Sequence, residues 1–153
     1  MDTLLNILHV LTSVFIIGPM AILPMTGLRA LRAGNGAQVD AMAKSTLIFT
    51  LLSLLVVIFG FGVLGTSDPK FNLSVGTPWV VISITLYVLA FILNLALVWP
   101  ALRRAARRML PADSTGPAET PVPSNSDYTL IAMGSGIVSI LLVVIVILMV
   151  WKP

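Results

Sequence analysis

The stretch NILHVLTSVFIIGPMAILPM, residues 6–25, is apolar almost throughout and contains no Asp, Glu, Lys or Arg. A helix needs roughly 20 residues to cross the hydrocarbon core of a bilayer. The stretch also contains His9, the single histidine of the sequence. It therefore predicts a transmembrane helix, and it raises the question of what an ionisable ring does inside that helix.

The composition of the whole chain agrees with a membrane protein. Of its 153 residues, 58% are hydrophobic and 10% are charged, whereas soluble domains carry about 25% charged residues. Apolar runs predict four helices at about residues 4–26, 45–65, 79–102 and 128–151. We therefore expect an all-α polytopic four-helix bundle in which residues 1–153 form a single transmembrane domain.

Two sequence features exclude other interpretations. The sequence has no cysteine, which excludes disulfides, thiolate metal ligands and cysteine nucleophiles. A signal peptide has a basic start and a small-residue cleavage site. Here the start is acidic at Asp2, and the apolar run continues to Pro24 and Met25. We expect the first apolar segment to be retained as a helix.

Basic residues predict the orientation of the four helices. The first and third loops carry most of them, namely Arg29, Arg32, Lys44, Arg103, Arg104, Arg107 and Arg108. Loops rich in Lys and Arg stay on the cytoplasmic side. We therefore expect a bacterial plasma-membrane protein with loops one and three in the cytoplasm and both termini outside. Interfacial aromatic residues fit this orientation, with Trp79 and Trp151 at the outer interface and Trp99 and Tyr128 at the inner one.

The third loop has two distinct parts. Residues 109–127 contain four prolines among Ser, Thr and Ala, a composition that predicts a flexible cytoplasmic linker. Just before it stand Arg103, Arg104, Arg107 and Arg108. These arginines fit either of two roles, setting the orientation or binding anionic lipid such as cardiolipin. The net charge of +3 is explained by these membrane-flanking residues, so we expect no nucleic-acid partner.

The predicted membrane interior contains no Asp, Glu, Lys or Arg. Pumps, ion-coupled carriers and voltage sensors use intramembrane charges. The chain also lacks paired carboxylates, a glycine-rich phosphate loop and a Ser/His/Asp set. We expect a protein that is not itself an enzyme and that has no catalytic residues.

Small and polar residues fall on one face of each helix. Asn6, His9 and Ser13 share a face of the first, and Thr46, Thr50, Ser53 and Gly60 share a face of the second. Gly18, Ser53, Asn94 and Ser135 lie about eight residues from the cytoplasmic ends of their helices, which predicts one small-polar layer. Such residues allow close helix packing, with Gly136 and Ser139 contributing on the fourth helix. A ligand site built from the same residues is the alternative.

His9 has three possible roles. Haem ligation usually requires a second axial histidine or methionine, and zinc requires three or four ligands. The sequence offers His9 few such partners, so a metal or haem would have to be shared with another subunit. In the second role, a neutral imidazole bonds to Tyr87, Ser83 or a neighbouring backbone carbonyl. The third role is proton transfer, because histidine titrates near neutrality. His9 is therefore a weak cofactor-binding candidate, and we expect no cofactor or metal.

The order of several residues along the chain resembles a known family. These are His9, Gly18, Pro19, Arg29, Arg32, Trp79, Tyr87, Trp99, Arg103 and residues 148–153. Together they resemble a family of small bacterial integral membrane proteins of unknown function with four helices. Within it, the chain is similar to an actinobacterial member found in the cytochrome bcc–aa3 respiratory supercomplex. That similarity implies a non-catalytic accessory subunit, partnered by membrane subunits of the bcc and aa3 complexes, with no haem or copper of its own.

Three functions follow as alternatives. The first is an accessory subunit that stabilises a respiratory-chain complex, which the missing catalytic groups and the aliphatic end of the fourth helix favour. The second is a haem- or quinone-binding redox protein that uses His9. The family loosely resembles haem-handling membrane proteins with a histidine in the first helix, but this sequence lacks their further charged and histidine residues. The third is a small transporter, for which the polar patches of the first and third helices would form the path.

Overall fold

A computed structural model describes residues 2–66, 75–110 and 125–151, and the regular structure within these ranges is entirely helical. The helices are α1 (Asp2–Thr12), α2 (Gly18–Arg32), α3 (Gly36–Thr66), α4 (Pro78–Leu93), α5 (Trp99–Met109) and α6 (Asn125–Trp151). They make four spans that are long and apolar enough to cross a membrane: Thr3–Arg32, Gly36–Thr66, Pro78–Met109 and Asn125–Trp151. The predicted all-α membrane bundle with four transmembrane helices is confirmed.

Two of the spans contain a short π-helical segment. Ser13–Ile17 joins α1 to α2, and Asn94–Val98 joins α4 to α5. Pro19 and Pro100 each stand two residues beyond such a segment. A proline lacks an N–H donor and clashes with the carbonyl four residues before it, and π segments relieve such conflicts at the cost of regular helix geometry. The first span is therefore irregular before Pro19, near its middle, whereas Pro24 is buried in regular helix.

Each span packs against the next in sequence, and the fourth closes the bundle against the first. The close contacts join α2 to α3, α3 to α5, α4 to α6, and α2 to α6. We call the end of the bundle with Arg29, Arg32 and the arginines of α5 the basic end. The opposite end, where α1 starts and α6 finishes, is the terminal end. Neighbouring spans run antiparallel, as expected for consecutive membrane crossings.

The basic end holds the densest core. Its buried residues are mostly small and aliphatic: Ala30, Leu31, Val39, Ala43, Val98, Ala101, Leu102, Ala105, Ala106 and Ile131. Glycines permit close helix contact here, because a Cβ on Gly27 would lie 2.8 Å from a methyl group of Leu102. Gly34, with φ of 71°, makes the turn between the first two spans. This end of the bundle is therefore the closely packed part.

The terminal end is more open. Among the described helices, α1 packs closely only against α3, and α4 packs closely only against α6 apart from its own continuation. None of the side chains from residue 3 to residue 12 is buried. The bundle thus divides toward this end into two helix pairs that side-chain hydrogen bonds connect.

The spans continue further at the basic end than the sequence predicted. Regular helix reaches Arg32, resumes at Gly36, extends to Met109 and begins again at Asn125. Arginine-bearing α5 is helical because its other face buries alanine and leucine, so these charges lie on helix rather than in a loop. Residues 67–74 and 111–124, which include most of the predicted linker, lie outside the described residues. Trp79 is buried, so it packs inside the bundle and not at its lipid-facing surface.

Candidate functional site

A stripe of polar positions runs along one face of α3 and receives side chains from both neighbouring spans. We call it the α3 stripe, and its members are Thr46, Thr50, Ser53, the carbonyl of Val56, and Gly60. Their spacings of three and four residues place them on one helical face. The three hydroxyl residues are all fully buried. The α3 stripe is therefore the polar centre of the bundle.

Asn94 of the third span bonds to Thr50 in this stripe. Its side-chain Nδ2 donates to the Thr50 hydroxyl over 2.8 Å, and that hydroxyl donates to the Thr46 carbonyl over 2.6 Å. Since Thr50 has one hydroxyl proton, it must accept from Asn94, which fixes the orientation of the amide. Thr46 Oγ1 and Asn94 Oδ1 are buried without a hydrogen-bond partner in the part of the chain that the structure describes.

Tyr87 makes the second polar contact between the second and third spans. Its hydroxyl lies 2.7 Å from Ser53 Oγ, and Ser53 donates to the Thr50 carbonyl over 2.6 Å. The single hydroxyl proton of Ser53 is already used in that bond, so Tyr87 is the donor of the bond between the two side chains. The long side chain of Tyr87 reaches across where α3 and α4 do not pack closely. These two bonds hold the helix pairs together near the middle of the bundle.

His9 bonds to α3 as well, but to its backbone. The ring Nδ1 lies 2.9 Å from the carbonyl oxygen of Val56. A carbonyl can only accept, so Nδ1 carries a proton and is the donor of this bond, and Nε2 is the ring nitrogen that the bond leaves unused. Of the three partners the sequence suggested, the structure thus selects a backbone carbonyl. Tyr87 bonds to Ser53 instead, and Ser83 donates to the carbonyl of Trp79 on its own helix.

Gly60 provides the space for that ring. A Cβ at this position would lie 3.0 Å from His9 Cε1 and 3.3 Å from His9 Nδ1. These distances are shorter than ordinary van der Waals contact, so any larger residue would displace the imidazole. The sequence predicted Gly60 on the same face as Thr46, Thr50 and Ser53, but it could not predict that the imidazole packs over this glycine.

The remaining predicted packing residues lie in different environments. Ser139 donates to the carbonyl of Ala21 across the contact between the fourth and first spans, over 3.2 Å. Ser135 is buried and donates to its own helix at Ala132. A Cβ on Gly18 or Gly136 would meet no atom within 4 Å, so neither position is one where a neighbour requires glycine. Asn94 is paired with Thr50 and not directly with Ser53, because the spans meet at a slightly different register from the one counted along the sequence.

An acidic residue that sequence reasoning did not single out organises the basic end. Asp127, in the first turn of α6, has a side chain only 4% exposed, between two arginines of α5. Arg104 Nε lies 3.3 Å from one carboxylate oxygen, and Arg108 Nη1 lies 2.9 Å from the other. The spacing of the two arginines, four residues apart, was the available signal, because it places both on one helical face.

Two other arginines contact aromatic rings. Arg103 lies over Trp99 with its guanidinium carbon 5.4 Å from the ring centre, and Arg32 lies over Tyr128 at 5.1 Å. Both distances are typical of cation–π contacts. Of the arginines predicted to set orientation or bind lipid headgroups, the structure thus brings Arg104 and Arg108 to an acid and Arg103 to a tryptophan. Arg107 is exposed.

The chemistry available at these sites is limited to hydrogen bonding and one imidazole. Among the described residues, no three His, Cys, Asp or Glu side chains come together as a metal-ligand group. A shallow apolar groove of about 520 Å³ lies beside the first π segment, lined by Val14, Phe15, Gly18, Pro19, Ile22 and Leu23. It offers contact to apolar groups only. His9 is therefore the side chain with the broadest chemical capability within the spans.

Residues 3–153 match the model of the family described as "Predicted integral membrane protein (DUF2269)". The chain belongs to this family. No curated protein and no solved structure matches it. The match covers all four spans. The family description gives a membrane location and no activity.

Proposed function

We propose that the chain is a non-catalytic accessory subunit, a respiratory supercomplex association factor. In this proposal it packs against membrane subunits of the cytochrome bcc and aa3 complexes and stabilises the bcc–aa3 menaquinol:oxygen oxidoreductase. It lies in the bacterial plasma membrane with both termini outside. The resemblance described above suggests the partner, and the physical support comes from how little of α1 is covered.

The observation that carries the proposal is the exposure of α1. Its apolar side chains Leu4, Ile7, Val10 and Leu11 are each about half exposed or more, and none of residues 3–12 is buried. In the part of the chain that the structure describes, α1 packs closely against α3, and the side-chain hydrogen bond of His9 joins it to that helix. A helix held on one side has free faces for a partner helix, and van der Waals packing is what drives helix association in membranes.

The internal bonding also supports a structural role. The polar groups of Thr50, Ser53 and Tyr87 are engaged in bonds between or within helices. Such bonds fix the arrangement of a bundle but offer no acid, base or nucleophile to a substrate. An accessory subunit needs a stable fold and an apolar surface on which a partner helix can pack. The hydrogen-bonded interior and the exposed apolar side chains of α1 fit these two requirements.

The test is affinity purification from native membranes. The chain, tagged at its C-terminus, is solubilised in mild detergent, and co-purifying proteins are quantified by mass spectrometry. We expect bcc and aa3 subunits in stoichiometric amounts, and none with an unrelated tagged four-helix membrane protein. Purification of the tagged chain alone would reject the proposal. Loss of intact supercomplex on native gels after deletion of the gene is the expected reciprocal result.

Two matched variants locate the contact surface. Val10 in α1 and Val146 in α6 are each 53% exposed, so tryptophan at either leaves the core of the chain intact. Loss of the co-purifying subunits with Val10→Trp places the contact on the first span, and loss with Val146→Trp places it on the fourth. Retention with both variants would move the contact away from these two helices.

A second candidate, a haem- or quinone-binding redox protein, is favoured by one observation. The bond from His9 Nδ1 to a carbonyl leaves Nε2 available, and metal-ligating histidines commonly donate their other nitrogen in this way. This candidate predicts a haem absorbance band or extractable quinone in the purified chain, lost in His9→Ala. A colourless wild-type preparation without quinone removes it.

A further inference from the structure

The four arginines of α5 form two rows that face in different directions. Arg104 and Arg108 form one row and Arg103 and Arg107 the other, with each pair separated by four residues. Residues four apart share a helical face, whereas adjacent residues differ by about 100° around the axis. The rows are therefore not equivalent, although the sequence makes them look like one basic cluster.

The first row is used within the protein. Both Arg104 and Arg108 bind the buried carboxylate of Asp127, so they connect the third span to the start of the fourth. Their charge is partly neutralised there. This row serves the internal packing of the bundle.

The second row has no acidic partner among the residues that the structure describes. The salt bridges found in those ranges join Lys44 to Asp40 and Arg104 and Arg108 to Asp127. Arg103 and Arg107 are exposed. Trp99 lies four residues before Arg103 and therefore on the same helical face. The guanidinium of Arg103 lies over its ring. We call Trp99, Arg103 and Arg107 the Trp99 row.

The Trp99 row spans the level where a membrane changes from hydrocarbon to headgroup. Tryptophan is enriched at that level. Between Tyr87 and Trp99 the third span is apolar apart from Asn94. At 1.5 Å per residue, Arg103 lies about 6 Å and Arg107 about 12 Å beyond Trp99 along the helix. The two guanidinium groups are thus displaced from the hydrocarbon edge toward the phosphate level.

We propose that Arg103 and Arg107 together form a binding site for an anionic phospholipid of the leaflet at the basic end, with Trp99 contacting its glycerol and upper acyl region. The guanidinium fork matches phosphate oxygens in geometry and charge. Two arginines about 6 Å apart along one face suit a lipid with two phosphates, such as cardiolipin. This site does not depend on the proposed accessory role, because it requires only a bilayer.

The test measures lipid binding to the purified full-length chain in detergent, by thermal stabilisation and native mass spectrometry. The lipids are cardiolipin and phosphatidylcholine, and inorganic phosphate is the free-anion comparison. We expect stabilisation by cardiolipin alone. Each arginine near an anionic surface contributes roughly a fivefold change in affinity, so Arg103→Gln with Arg107→Gln should weaken cardiolipin binding about 25-fold.

The matched control is the double variant Arg104→Gln with Arg108→Gln, which removes the same number of charges from the same helix. It should lower the melting temperature without lipid and retain its cardiolipin response. Equal loss of binding in both double variants, or full retention when Arg103 and Arg107 are changed, would overturn the site. Stabilisation by inorganic phosphate as large as that by cardiolipin would overturn the lipid assignment. If the control does not fold, Lys44→Gln with Arg29→Gln replaces it as the charge-matched comparison.

Discussion

The imidazole of His9 lies over Gly60 of the second span, in the space that a side chain there would occupy. A Cβ on Gly60 would be 3.0 Å from His9 Cε1, while His9 Nδ1 is bonded to the carbonyl of Val56, one helical turn earlier. This arrangement contributes to the attachment of α1 to α3 at the open end of the bundle. A backbone oxygen is present whatever residue occupies position 56, so the glycine is the position at which sequence controls the contact.

Alanine at Gly60 should therefore weaken the attachment of α1. The new methyl group pushes the imidazole away and lengthens its bond to Val56, which costs about 1 kcal/mol for a typical hydrogen bond. The matched control is Gly136→Ala, since a Cβ there meets nothing within 4 Å. Alanine also has a higher helix propensity than glycine. In the same detergent, the melting temperature of Gly60→Ala should be lower than that of Gly136→Ala. Equal melting temperatures would show that His9 does not depend on the glycine.

Two threonines of the α3 stripe should respond differently to valine. Thr50 both donates and accepts, so Thr50→Val leaves the Asn94 amide buried and unpaired, at a cost of about 1–3 kcal/mol. Thr46 Oγ1 has no partner among the described residues. The backbone carbonyl of residue 46, which accepts from Thr50, is unchanged by a side-chain substitution. Thr46→Val should therefore be neutral or slightly stabilising. A larger loss of stability in Thr46→Val than in Thr50→Val would contradict this hydrogen-bond assignment.

Leucine at Asn94 tests whether the polar centre is also a packing core. The residue is fully buried at the start of the second π segment, so a branched apolar side chain both removes the bond to Thr50 and overpacks the site. The expected cost is about 1–3 kcal/mol. Val146→Leu, on an exposed face of α6, should leave the melting temperature unchanged within error. Similar unfolding of the two variants would mean that Asn94 lies outside the packing core.

Asparagine at Asp127 should loosen the start of the fourth span. The substitution keeps the size of the side chain but removes the ion pairs with Arg104 and Arg108. Because both arginines are about half exposed, we expect a cost of about 1–2 kcal/mol rather than the larger value of a fully buried pair. The unfolding midpoint should fall accordingly, and high salt should reduce the difference from wild type.

The comparison for Asp127 is Asp40→Asn. Asp40 pairs with Lys44 four residues later on the same helix, and Lys44 is 73% exposed. Such surface pairs contribute about 0.3–0.5 kcal/mol. If Asp40→Asn costs as much as Asp127→Asn, the buried carboxylate is not the connection between the third and fourth spans.

Local properties of the sequence predicted the spans well. Four apolar runs of membrane-crossing length are visible without any knowledge of packing, because burial in lipid depends on each segment's own composition. The faces that carry Thr46, Thr50 and Ser53 were also predictable, since helical periodicity fixes which residues share a side. The ends of the helices were less predictable. The helix α5, for example, forms because its alanine-bearing face packs against other spans.

The candidate site was predicted only in part. Depth along each helix placed Gly18 and Ser135 beside Asn94, but the rotation of a helix about its axis is set by packing against all its neighbours. A Cβ on Gly18 would meet no atom within 4 Å, and Asn94 bonds to Thr50. The role of Asp127 was missed because its two partners precede it in sequence by 23 and 19 residues, with the third loop between them.

The sequence by itself determined that this chain is a four-span helical membrane protein, and it placed one histidine and no charged residue within the four predicted apolar runs. Only the tertiary structure decided that His9 bonds to a backbone carbonyl over a glycine, and that one row of arginines in α5 faces an acid while the other faces outward. The physical reason is that hydropathy and helix formation are local, whereas a hydrogen-bond partner or an ion pair depends on the register and rotation of helices packed together.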